Sequence, residues 1–185
     1  RGNDLSISGW GLKFDFIIIH ESGHEWFANS ITYKDVADMW VHESFTNYSE
    51  NLYVEYYFGK EAGQDYVIGC RHNIRNDRPV VGIYNVNYEG SGDMYYKGGN
   101  MLHTLRQIVD DDEKWRAILR GLNSEFYHQV VTGEQIENYL SDKTGINLQS
   151  FFDQYLRDVG IPVFEYYVKG DELTFRWNNC VRGFD

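Results

Sequence analysis

Apolar positions recur at helical spacing through most of the first 160 residues, and near the C-terminus they change to strand-like alternation. Phe14 to Ala28 has no proline and one interior glycine, and it carries Phe16, Ile17, Ile18 and Ile19, which predicts a first helix. A second is expected from Val36 to Phe58, stopped by Gly59, with the short loop SITYKD before it. A third covers Glu61 to Arg75, followed by an irregular stretch from Asn76 to Met94 that holds Pro79, Gly82, Gly90 and Gly92. Further helices are expected over Lys97 to Val109, Asp111 to Glu125, Gly133 to Lys143 and Leu148 to Asp158. Thr132 with Gln135 three residues on forms a capping box before one of them, and Asn147 is a suitable cap for the last. Gly160 and Pro162 end the helical pattern; VFEYYV and ELTFRW around KGD then read as a β-hairpin with Gly170 in its turn. The expected fold class is mainly α with a short C-terminal β-hairpin, and the change of period near Gly160 is the candidate domain boundary.

Chemistry enters at residues 20–24, which read HESGH, with Glu43 following His24 after eighteen intervening residues. Histidines four apart on a helix differ by about 40° around the axis and one turn along it, so both rings can reach one ion. Two neutral imidazoles and a carboxylate suit Zn²⁺, and a catalytic zinc keeps its fourth position open for water. His20, His24 and Glu43 are therefore the candidate metal ligands, and Glu21, next to His20, faces the water rather than the metal. His42 points about 100° away from Glu43 on the same helix, which fits a structural role better than ligation.

Three segments, HESGHEWFAN, WVHESFTNYSE and YYKGGNMLHTLR, resemble the gluzincin aminopeptidases, the family of membrane alanyl aminopeptidase and leukotriene hydrolase. The resemblance implies the helical part of a thermolysin-like zinc catalytic domain over residues 1–160, with 161–185 as the start of a following domain. It implies zinc on His20, His24 and Glu43, Glu21 as general base, and Tyr95 as donor to the developing oxyanion. The residues alone leave Tyr95 and Tyr96 open; the match to the family's Y-x-K-G segment favours Tyr95. The implied activity is removal of N-terminal residues from peptides. A thermolysin-like endopeptidase, or a piece that binds zinc without activity of its own, are the alternatives.

The family's upstream G-x-M-E-N segment, whose glutamate holds the substrate's α-amine, is absent, and the chain opens at Arg1. It therefore reads as an excised part of a longer enzyme, whose remaining domains would be its partners alongside peptide substrates. Hydrophobic residues at 42% and aromatics at 17% exclude a disordered chain. The formal charge of −11 argues against nucleic-acid binding, and no apolar run reaches the length of a membrane span. Two cysteines, Cys70 and Cys180, are too few for a disulfide framework. GSGDMYYKGG lacks the ending of a phosphate-binding loop, Cys70 and His72 point to nearly opposite sides of a helix, and His103 and His128 stand alone.

Overall fold

A computed structural model describes residues 3–184. Its helices are α1 (Phe16–Gly23), α2 (Trp40–Phe58), α3 (Lys60–Cys70), α4 (Tyr96–Val109), α5 (Asp112–Glu125), α6 (Gly133–Thr144) and the short α7 (Gln149–Phe152). Strands β1 (Ile31–Tyr33) and β2 (Gln129–Val131) pair in parallel, and β3 (Val163–Lys169) pairs antiparallel with β4 (Glu172–Asn178). The fold is mainly α with a C-terminal hairpin, as the periodicity predicts, and no helix among the described residues is long and apolar enough to cross a membrane.

α2 is the axis of the structure. Every residue from Trp40 to Tyr48 is buried, so this half of the helix has neighbours on all sides and no solvent face. It packs against α1, α3 and α4. Trp40, Phe45 and Tyr48 join Met101, Leu102 and Leu105 of α4, Trp115 and Leu122 of α5, and Ile136 and Leu140 of α6 in one core. A smaller cluster under α3 gathers Val54, Ala62, Tyr66 and Cys70.

The first helix is shorter than expected at both ends. Asp15 caps it by accepting the Ile18 N–H at 3.3 Å. After His24 the chain widens into a π-type turn over Glu25–Ser30, in which Phe27 (φ −113°, ψ 68°) leaves helical geometry. The departure lets Phe27 stack on Phe45 of α2 at 4.8 Å between ring centroids.

SITYKD is not merely a loop, because it contains β1. Three residues are too few to register as a strand, and their partner lies almost a hundred positions away: Ile31 pairs with Gln129 and Tyr33 with Val131. α3 stops at Cys70 rather than Arg75, because the Asp93 carboxylate accepts the N–H groups of Arg75 (2.9 Å) and Asn76 (2.6 Å) and draws the chain away. The last helix also breaks early, at Phe152, and continues as a π-type turn through Arg157. There the Leu156 carbonyl accepts from Val80 (2.8 Å) and Val81 (3.0 Å) instead of from its own helix.

The hairpin turns through Gly170 at φ 60°, a left-handed position that glycine occupies without strain. Every residue of β3 is exposed. The hairpin is tied to the helical part where the Val181 N–H donates to Gln154 Oε1 at 2.7 Å.

Candidate metal centre and active site

α1 delivers His20 and His24 one turn apart, their rings nearly perpendicular with centroids 4.9 Å from each other. α2, packed against α1, delivers Glu43. Its Oε2 lies 3.0 Å from His20 Nε2 and 3.5 Å from His24 Nε2. One donor atom from each of the three lies within 4.8 Å of the others, the only such three-donor cluster of His, Cys, Asp or Glu among the described residues.

The other nitrogen of each imidazole is also held. His20 Nδ1 is 2.7 Å from Glu50 Oε1, and His24 Nδ1 is 3.1 Å from the Phe27 carbonyl oxygen. A carbonyl only accepts, so the His24 Nδ1–H donates to it and Nε2 faces the site. The π-type turn that shortens α1 thus places the acceptor that orients the second histidine. Burial disfavours charge on His20, yet its bonds to Glu43 and Glu50 outweigh burial and lift its pKa to about 9. The carboxylates that favour a proton there equally favour a divalent cation. Two imidazole nitrogens, one carboxylate oxygen and a hydrogen-bonded outer nitrogen on each ring are a donor set that fits zinc.

These groups line a cavity of about 410 Å³ together with Glu21, Tyr95, Tyr96, Phe16 and Ile17. Glu21 is exposed at its edge. Tyr95 sits where a 3₁₀ turn (Gly92–Met94) enters α4, its ring centroid 5.7 Å from that of His20. Burial and the nearby Glu43 carboxylate push its phenol up to about 12, so it is a proton donor at neutral pH. Tyr96 borders the same cavity and also packs on the α3 cluster with Tyr66 and Cys70. Ser44 fixes this geometry from α2 by donating to the Met94 carbonyl at 2.8 Å.

The remaining sequence candidates stand apart from this site. His42 accepts the Tyr33 N–H on Nε2 at 3.0 Å, tying α2 to β1, and burial holds its pKa down to about 4. Lys97 is buried and donates to the Asp158 carbonyl at 3.0 Å. Cys70 is a buried free thiol and His72 is exposed. Cys180 is also a free thiol.

Sequence reasoning passed over Glu50, Asn47 and Thr46. Thr46 Oγ1 lies 3.2 Å from His20 Nε2, and Asn47 donates to both Glu50 oxygens at 3.3 Å. Their signal was present: at three, four and seven residues past Glu43, they share its helix face.

An exposed acid and a tyrosine beside a pair of helix-borne histidines and a carboxylate define a site suited to metal-assisted hydrolysis. Comparison with known proteins narrows the class. Residues 12–155 match the peptidase family M1 domain. Aminopeptidase N of Lactococcus lactis subsp. lactis is 30% identical over 175 residues, covering 85% of this chain and 20% of that protein. Mouse aminopeptidase B is 26% identical over 170 residues, covering 80% of this chain and 26% of that protein. An M1 zinc metallopeptidase from Deinococcus radiodurans, solved with a Tyr-Ser-Ala substrate, superposes with a TM-score of 0.68 at 21% identity, covering 81% of this chain and 34% of that one. Native leukotriene A4 hydrolase from Saccharomyces cerevisiae gives 0.67 at 20% identity, covering 80% of this chain and 26% of that one. The chain belongs to peptidase family M1, and it spans about a fifth of the length of the first curated relatives it matches.

Proposed function

We propose that this chain is the metal-binding catalytic portion of a zinc aminopeptidase that removes N-terminal residues from peptides. The observation that carries the reading is the convergence of His20, His24 and Glu43 donor atoms beside Glu21 and Tyr95 in one cavity. His20, His24 and Glu43 would hold the ion. Zinc, when bound, supplies Lewis acidity that acidifies a water and polarises the scissile carbonyl. Glu21 removes the proton of the attacking water and returns it to the leaving amine. Tyr95 keeps its phenolic proton and donates it as a hydrogen bond to the developing oxyanion. Phe16 and Ile17 give the cavity an apolar wall on the α1 side.

Residues 1–160 form the catalytic unit in this reading, and the hairpin from 161 opens a further domain. The exposed apolar residues of β3 and β4 support that division: Val163, Phe164, Tyr166, Tyr167, Leu173 and Phe175 lie open to solvent. The partners are peptide substrates and the rest of the larger enzyme.

The test is zinc reconstitution after chelator stripping, read by elemental mass spectrometry, together with hydrolysis of an aminoacyl anilide and of its N-acetylated form. We expect one zinc per chain and a much weaker site in Glu43→Ala, and, in a longer form of the enzyme that includes the amine-holding segment, cleavage of the free-amine substrate only. Unchanged zinc affinity in Glu43→Ala removes Glu43 from the ligand set, and cleavage of the blocked substrate overturns the exopeptidase assignment.

A further inference from the structure

Glu50 is a carboxylate with 1% of its surface exposed, lying directly behind the proposed metal site. A carboxylate buried this deeply keeps its charge only where hydrogen-bond donors replace water, and His20, Asn47 and Tyr66 surround it. The two oxygens divide the work. Oε1 faces His20 Nδ1 at 2.7 Å, Asn47 reaches both oxygens at 3.3 Å, and Oε2 takes the hydroxyl of Tyr66.

Tyr66 comes from a different helix, α3, and is itself 1% exposed. Burial and the Glu50 charge push its phenol far above the ordinary tyrosine range, so it donates at every working pH and never competes for the His20 proton. With Oε2 bound by this donor, Oε1 is left to accept from Nδ1–H. In the neutral imidazole that binds a metal ion, this leaves the lone pair on Nε2, the atom facing Glu43 and His24. A hydrogen-bonded carboxylate behind a ligating imidazole fixes both its tautomer and its ring plane. Here the carboxylate has its own support, one helix further out.

We propose that Tyr66, working through Glu50, is a positioning residue that holds the His20 ring in the tautomer and orientation needed to bind a metal ion through Nε2. The inference rests on the reading of His20 as a zinc ligand. It makes α3, which contributes no reacting group, part of the metal site's framework.

The experiment is a double-mutant cycle on the intact protein with zinc alone as probe. Zinc dissociation constants are measured by competition with a chromophoric chelator at fixed pH. Glu50→Gln is expected to weaken zinc binding by about 10–100-fold, the usual cost of losing a partner behind a ligand. Tyr66→Phe removes a single oxygen and is expected to weaken it several-fold. The double variant should bind no more weakly than Glu50→Gln alone, because Tyr66 acts only through that carboxylate. Val67→Ala, on the same helix, removes two methyl groups and touches no hydrogen bond of the network; it should lower thermal stability and leave zinc affinity unchanged.

Wild-type affinity in Tyr66→Phe overturns the inference, as does a Tyr66 effect that adds in full to that of Glu50→Gln. Equal losses of affinity in Tyr66→Phe and Val67→Ala would reduce Tyr66 to packing and also overturn it. If Tyr66→Phe folds only when combined with Glu50→Gln, the coupling is shown by folding instead of by affinity, since the variant then fails through the unsupported carboxylate. Failure of the zinc reading itself looks different: wild-type protein would take up no metal, and the inference would fall with it.

Discussion

Substituting Gly98 with alanine tests how the site is assembled. One turn after Tyr95, α4 crosses α2 so closely that a Cβ at Gly98 would lie 2.6 Å from Ser44 Cβ and 3.2 Å from Ser44 Cα. The next glycine is similar, with a Cβ at Gly99 falling 3.1 Å from Asn47 Cγ. These approaches hold the N-terminus of α4 against the segment of α2 that carries Glu43, and so bring the Tyr95 ring to the histidines. Rotating Ser44 gives no relief, because neither its Cβ nor its Cα moves and its hydroxyl would lose the bond to the Met94 carbonyl. Inserting a methyl into such a contact costs about 1–3 kcal/mol, and the lost hydrogen bond about 1 more. Alanine recovers roughly 0.5–1 kcal/mol of helix propensity over glycine. The net is about 1–3 kcal/mol of destabilisation, or about 3–10 °C in Tm for a domain of this size. Calorimetry of the Gly98→Ala, Ser44→Gly and double variants is the assay. The double variant should melt at or above Gly98→Ala, because removing Ser44 Cβ reopens the space. A Gly98→Ala protein as stable as wild type, or strictly additive losses in the cycle, would refute the close approach as the device that positions Tyr95.

Glu21→Gln should retain zinc by elemental analysis while turnover disappears; loss of the metal would show that Glu21 is a ligand and not the proton carrier. Tyr95→Phe should lower kcat by about 10²–10³ with little change in KM, the usual cost of one oxyanion donor. If that loss appears in Tyr96→Phe instead, the neighbouring tyrosine is the donor. Asp112, hydrogen-bonded by Arg106 at 2.8 Å, has its pKa held down to about 2. A depressed carboxylate pKa stabilises the fold above the ordinary carboxylate range, and that contribution is lost as pH falls toward about 2. Asp112→Asn should therefore flatten the acid limb of stability against pH, and an unchanged limb would show that the pair contributes nothing.

What could be read from this chain follows the distance over which each feature is encoded. His20 and His24 are one helical turn apart, and Glu43 lies on the next helix, so the donor set is written locally and the structure brings its atoms within 4.8 Å. The capping box at Thr132 and the hairpin around Gly170 are equally local, and both occur where the pattern places them. Glu50 was legible in principle, seven residues beyond Glu43 on the same helix face, but a carboxylate's role behind an imidazole cannot be weighed without knowing that the face is buried. The features with no local trace are set by partners far along the chain. Tyr66 reaches Glu50 from α3, β1 takes its strand form from residues 129–131, and Phe27 leaves the helix to stack on Phe45 and so places the carbonyl that orients His24. The groups proposed to react are thus specified within about one helical turn, while the bonds that orient them come from the packing of α1 and α3 on α2. A substitution on α3 or in the turn after α1 can therefore disable the proposed metal site without altering a single donor atom.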